Sequence, residues 1–249
     1  MLKWSSLALV IATAFLITNQ EKVHAISINN GSFETGNFSN WETVGSTDIN
    51  VGITPTVETA EEFGVTPING TYQAVLETLA DTTGINSAAL ETFLGLSSGS
   101  LTSLEAEEGS AIKQVITVNA GDKLTFSWNF LTNQVPADPT YNDFAFFSIT
   151  GVTQLANTNS LTTFSFSRLA EETGYQPYTY NFTTAGTYTL GFGVVDVGDT
   201  TVNSALLVDN VELTPVPEPT TMLGILMGIG FGYAAKMRFS PQQKKANLK

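Results

Sequence analysis

The sequence contains no cysteine, and its single histidine, His24, lies near the start of the chain. Without cysteine there are no disulfides, so stability has to come from a buried core. Once residues 1–25 are set aside, neither Cys nor His remains. This excludes Ser-His-Asp and Cys-His triads, ordinary zinc sites and a histidine acid/base. Basic residues are nearly as scarce. Between residues 26 and 215 only Lys113, Lys123 and Arg168 are basic, against 21 acidic residues, a formal net charge of −18. Such a surface repels phosphate backbones, which argues against nucleic acid as a partner, and it favours cations. Long apolar runs are confined to the two ends.

At the start, Lys3 precedes an apolar stretch from Leu7 to Ile17, and Val23-His24-Ala25 follows. That is the pattern of a secretory signal peptide over 1–25, cut after Ala25 by signal peptidase. The alternative is a retained anchor, for which the stretch falls short of the ~20 residues that span a bilayer. At the other end, Val216-Pro217-Glu218-Pro219 leads into 16 mostly apolar residues, 220–235. As a transmembrane helix these reach ~24 Å, short of a ~30 Å hydrocarbon layer unless Lys236 and Arg238 snorkel. The basic end, 236–249, has no acidic residue. The positive-inside rule sets it in the cytoplasm and the acidic domain outside. Pro217 and Pro219 keep the preceding chain extended and stop the helix from running backwards. Gly224, Gly228 and Gly232 recur every fourth residue, either as a small-residue stripe for helix contact or as plain composition.

The middle, 26–215, alternates with period two, which predicts strands. Leu124, Phe126, Trp128 and Phe130 alternate with Thr125, Ser127 and Asn129; Tyr188, Leu190, Phe192 and Val194 do the same, as do Tyr178, Tyr180 and Phe182. Further strands are expected over 25–29, 72–78, 110–118, 143–149 and 204–213. Turn signals at 119–122 and 184–187 separate some of them. Short amphipathic strands without a βαβ rhythm predict a mainly β, antiparallel β-sandwich. One helix is expected at 86–96, capped by Asn86 and ended by Gly95 or by 97–99. Its expected place is over one end of the sandwich, with a lid as the alternative.

The opening words Asn30-Gly-Ser-Phe-Glu34 and Trp41, with Asp209-Asn-Val211 near the close, resemble jelly-roll modules of the galactose-binding and carbohydrate-binding type. The resemblance implies that the first and last strands lie side by side. It also implies a structural calcium held by Glu34, Asp209 and the Asn30 carbonyl. Calcium takes six to eight oxygens, so these donors suit it. If Leu207, Val211 and Leu213 set the phase, Asp209 turns inward; if Leu206 and Val208 set it, Asp209 sits at a bulge facing water. Asn142-Asp143 and Asp196/Asp199 stand at strand ends, where they either gather a second cation or make Asx-turns. The doublets Glu61-Glu62, Glu107-Glu108 and Glu171-Glu172 read as solvated loops, since adjacent side chains point apart. A carboxylate-based glycoside hydrolase would need two acids facing across one cleft. Trp41 and Trp128 read as core. Tyr141 and Tyr175, beside turns, are the candidates for stacking on a sugar.

The order Pro-Glu-Pro, apolar helix, basic end closely resembles the PEP-CTERM sorting signal. Residues 26–235 as a whole look like a group of exported bacterial proteins that carry this tail. The resemblance implies recognition by an exosortase in the membrane, cleavage near Pro217-Glu218-Pro219, and release to the cell surface or an exopolysaccharide matrix. The expectation is therefore an exported, non-enzymatic structural or adhesive protein. The alternatives are a carbohydrate-binding module holding the protein in exopolysaccharide and, behind it, the hydrolase.

Overall fold

Period-two alternation becomes strand wherever an inward row of apolar residues can meet another sheet. The computed structural model describes residues 27–50, 52–79, 84–135, 137–160 and 163–216. The signal segment with its Ala25 cut, Pro217-Glu218-Pro219, the expected helix 220–235 and the basic end lie outside the described residues. Among the described residues no helix is long and apolar enough to cross a membrane.

In chain order the first strands are β1 (Glu42–Val44), β2 (Thr47–Asp48), β3 (Gly52–Ile53), β4 (Thr56–Thr59), β5 (Tyr72–Glu77) and β6 (Ile85–Asn86). Long strands follow, β7 (Ala106–Val118) and β8 (Lys123–Thr132), then β9 (Phe144–Ser148) and β10 (Val152–Asn157). The last are β11 (Thr163–Phe164), β12 (Glu171–Glu172), β13 (Gln176–Asn181), β14 (Gly186–Val197) and β15 (Ser204–Thr214). Two short helices, α1 (Ala60–Phe63) and α2 (Ser87–Leu94), interrupt them. One sheet runs β1-β7-β14-β9-β10 with β6 also on β7; the other runs β11-β12-β8-β15-β5-β4 with β13 also on β8. The long pairs β7–β14, β9–β14, β8–β15 and β5–β15 are antiparallel. The result is the antiparallel β-sandwich that the alternation predicts.

The main core fills the space between the sheets. Ile112, Leu190 and Phe192 come from one sheet and Phe126, Phe130 and Leu206 from the other. Trp41 and Trp128 are buried there, as expected. Each outer face carries a second, smaller core. On the β7–β14–β9 sheet, Leu90 and Leu94 of α2 pack on Ala111, Phe146 and Val195. Gly191 makes room, since a Cβ there would stand 2.5 Å from Leu94 Cδ2. On the other sheet, Phe63 of α1 and Leu169 cover Val75, Leu131 and Leu207.

Asn86 caps α2 by accepting from the Ala89 amide, and Gly95, in the left-handed region at φ 69°, ends it. The helix lies on the face of a sheet and not over the end of the sandwich. Leu90 and Leu94 share one side of it, and the sheet offers an apolar outer face for them to cover. Lys113 secures its far end: Nζ donates to the Phe93 carbonyl at 2.8 Å, lies 4.4 Å from the Phe93 ring centroid and 3.3 Å from Glu42 Oε2.

The expected strand over 25–29 does not form within its described part, where residues 27–29 are coil and turn. Gln114 is the physical reason. It occupies an inward, buried position on β7, and its side chain takes the Asn29 backbone bonds that a partner strand would take.

Candidate functional site

The site implied by the opening and closing words is built where β15 breaks its ladder. A bulge between Asp209 and Glu212 shifts the register against β8, and Asn210 takes φ 53°. Leu206 and Val208 face the main core before the bulge, and Val211 and Leu213 face it afterwards. Both phases in the sequence are therefore used in turn, and Asp209 falls at the bulge. It does not face water: covered by the outer-face elements, it is 0% exposed. The opening segment lies alongside, with the Val211 amide donating to the Gly31 carbonyl at 2.9 Å.

Glu34 and Asp209 meet at the turn formed by residues 68–72. The amides of Thr71 and Tyr72 donate to Glu34 Oε1, each at 2.9 Å. Asp209 accepts from Asn69 N at 2.8 Å and Asn210 N at 2.6 Å. Asn69 Nδ2 also donates to Asn210 Oδ1 at 2.8 Å. Gly70 is required, with φ 75° and a would-be Cβ 2.3 Å from the Glu34 carboxyl carbon. Burial, with a further contribution from the Glu34 charge, pushes Asp209 up to about 6, against the opposing pull of the amides of Asn69, Asn210 and Ile68.

Two carboxylates held at one turn, with no basic side chain among their hydrogen-bond or ion-pair partners among the described residues, have the charge a hard cation would neutralise. Asn30 is committed elsewhere. Its carbonyl accepts from Trp41 Nε1 at 3.1 Å and Phe33 N at 3.3 Å, and its Nδ2 donates to the carbonyls of Asn37 and Ser39. Among the described residues, no three acidic side chains converge as a ready-made metal cluster.

The remaining candidates are scattered. Tyr141, half-buried, precedes β9, and its carbonyl accepts from Thr158 Oγ1. Tyr175 packs against the Phe63 core and donates its hydroxyl to Gln73. Burial, then the charges of Asp209 and Glu172, raise the Tyr175 phenol well above its usual range. The structure does not bring the two tyrosines into one face. Val216 marks where the tail leaves the domain, its amide donating to buried Asp122 Oδ1 at 2.9 Å. The glutamate doublets divide their roles. Glu62 closes a capping box with Thr59, Glu108 is buried while Glu107 is exposed, and Glu172 accepts from Asn129 Nδ2.

A feature the sequence reading passes over is an exposed aromatic pair. Phe164, 74% exposed, and Phe166, 89% exposed, stand 5.9 Å apart at 80° on the outer edge of the β8–β15–β5 sheet. The alternation Phe-Ser-Phe-Ser was the available signal, since it sets both rings on one side of an extended segment.

No protein-family model and no curated protein matches the chain. Solved structures similar to it include TmCBM61 in complex with β-1,4-galactotriose, at 12% identity and TM-score 0.38, covering 76% of this chain and 97% of that one. A carbohydrate-binding module specific for non-crystalline cellulose aligns at 15% identity and TM-score 0.39, covering 77% and 96%. The K1 cleaved adhesin domain of Lys-gingipain from Porphyromonas gingivalis W83 aligns at 15% and 0.42, covering 78% and 99%. Likenesses this weak assign no ligand or activity to this chain.

Proposed function

We propose that the chain is an exported, non-enzymatic structural or adhesive protein of the cell surface or extracellular matrix. Signal peptidase and an exosortase are its processing partners, and the membrane holds it only during sorting. The lack of Cys and His after residue 25 supports the non-enzymatic reading. The observation that carries the adhesive reading is the Phe164–Phe166 pair. Large apolar side chains cost solubility when exposed together, and on a soluble surface such a pair marks a contact. A matrix polysaccharide suits it, because sugar rings present C–H faces to aromatic rings and an uncharged glycan is not repelled by an acidic domain. Replacing both rings, F164S with F166S, should weaken attachment to the matrix about thirtyfold, the scale of one contact hot spot of ~2 kcal/mol. Unchanged retention would sink the adhesive reading.

The second reading is a carbohydrate-binding module in which Tyr141 contributes a sugar contact, and its half-exposed place beside the β9 turn favours it. Glycan-array binding lost in Y141A would support this, and no binding to any matrix glycan would remove it. Glu34 and Asp209 would hold calcium as a structural stabiliser, tying the 68–72 turn to the last strand. A melting temperature that E34Q makes less sensitive to chelator is the expected sign. Equal sensitivity in the two proteins would remove calcium from that turn.

A further inference from the structure

We propose that Asp143 and Asp196 hold a second hard divalent cation, inside the far end of the sandwich. The site follows from register. Val195 of β14 pairs with Phe144 of β9 and with Gly109 of β7. Val197 pairs with Ala106, so the β7–β14 ladder bulges just after Val195, and Asp196 sits at that bulge with its carboxylate in the field of Asp143 and Glu108. Like charges held this close are destabilising. All three are buried, Asp196 at 1% exposure.

Hydroxyls from the opposite sheet face these carboxylates. Ser204, at the start of β15, donates to Asp143 Oδ2 at 2.7 Å and lies 3.0 Å from Thr132 Oγ1 at the end of β8. Thr78 follows β5 and is engaged with the Ser204 backbone. Asp143 Oδ1 accepts from the Val197 amide at 3.0 Å. Asp196 is different: among the described residues neither of its oxygens makes a well-formed hydrogen bond, the Thr78 hydroxyl and the Asp143 carboxyl being its polar neighbours, and Glu108 Oε1 has no partner either. A buried carboxylate without donors is costly unless a cation or a proton neutralises it. The basic groups that form ion pairs are used elsewhere, Lys113 with Glu42 and Arg168 with Glu58 and Glu77.

The donor set is oxygen alone, carboxylates and hydroxyls. That selects a hard cation such as calcium over zinc or copper. This site is separate from the Glu34–Asp209 turn. Residues 204 and 209 are five apart on β15, about 17 Å along an extended strand.

Equilibrium dialysis of the chelator-stripped full chain in mild detergent, with calcium alone as the probe, tests the assignment. The wild type should bind one more calcium per chain than D196N or D143N, while E34Q keeps this site. Calcium should raise the wild-type melting temperature by about 5–10 °C at saturating concentration. Metal-free D196N should melt no lower than the metal-free wild type, because one of the opposed charges is gone. If the variants fail to fold, hydrogen exchange of the wild type decides, with calcium expected to slow the Val197 amide. Equal calcium stoichiometry in wild type and both variants, or a Val197 amide indifferent to calcium, overturns the proposal.

Discussion

Gln114 pairs with Asn29 as a strand would. Its Oε1 accepts the Asn29 amide and its Nε2 donates to the Asn29 carbonyl, both at 2.9 Å, with a further bond to the Asn40 carbonyl at 3.1 Å. One side chain thus holds the opening segment against β7. Q114L leaves three backbone groups without their partner and should cost about 2–3 kcal/mol, from the penalty for orphaned polar groups. Denaturant unfolding measures the loss, and hydrogen exchange should show the Asn29 amide unprotected. A protected Asn29 amide in the variant would mean that another group secures the segment.

Arg168 is the bridge of the opposite face. Its Nη1 and Nη2 reach Glu58 at 2.8 and 3.1 Å, its Nε reaches Glu77 at 3.1 Å, and its guanidinium lies 4.4 Å from the Phe63 ring centroid. Glu77 is buried, so R168M removes its cation and leaves its carboxylate with the Asn203 Nδ2 donor at 3.2 Å. The loss should be about 2–3 kcal/mol, below a fully buried pair because the Arg side chain is 39% exposed. The double variant R168M/E77Q should recover much of it, and a thermodynamic cycle checks this. Additive losses would show that the pair is not coupled.

Glu91 ties α2 to the loop after it. Its carboxylate accepts from the amides of Gly99, Leu101 and Thr102 and from the Thr102 hydroxyl. Burial raises its carboxyl, but the four bonds outweigh that and hold it at about 2. A depressed carboxyl binds protons more weakly folded than unfolded. Its contribution is thus full above the unfolded value near 4.5 and is lost as pH falls towards 2. Between those values the wild type should lose melting temperature faster than E91Q. Parallel pH profiles would contradict this.

The sequence made the long strands legible because their inward residues alternate without interruption, as Leu124 to Phe130 and Leu190 to Val194 do. Helix α2 was legible from Asn86, Leu90 and Leu94. What escaped was settled by partners far away in sequence. Residues 27–29 look like strand but meet the side chain of Gln114. Asp209 could be read in two phases because the bulge uses both. The Asn-Gly at 69–70 announces a turn, but nothing local says that Glu34 will close on it. Phe164 and Phe166 are large and apolar, yet they stand exposed on the outer edge of a sheet.

Export followed by sorting to the surface can be read from the intact mass of the protein recovered outside the cell. The expected chain begins at Ile26 and ends near Pro217–Thr220. A mass that retains Lys249 would contradict removal of the tail and make the protein a permanent membrane resident.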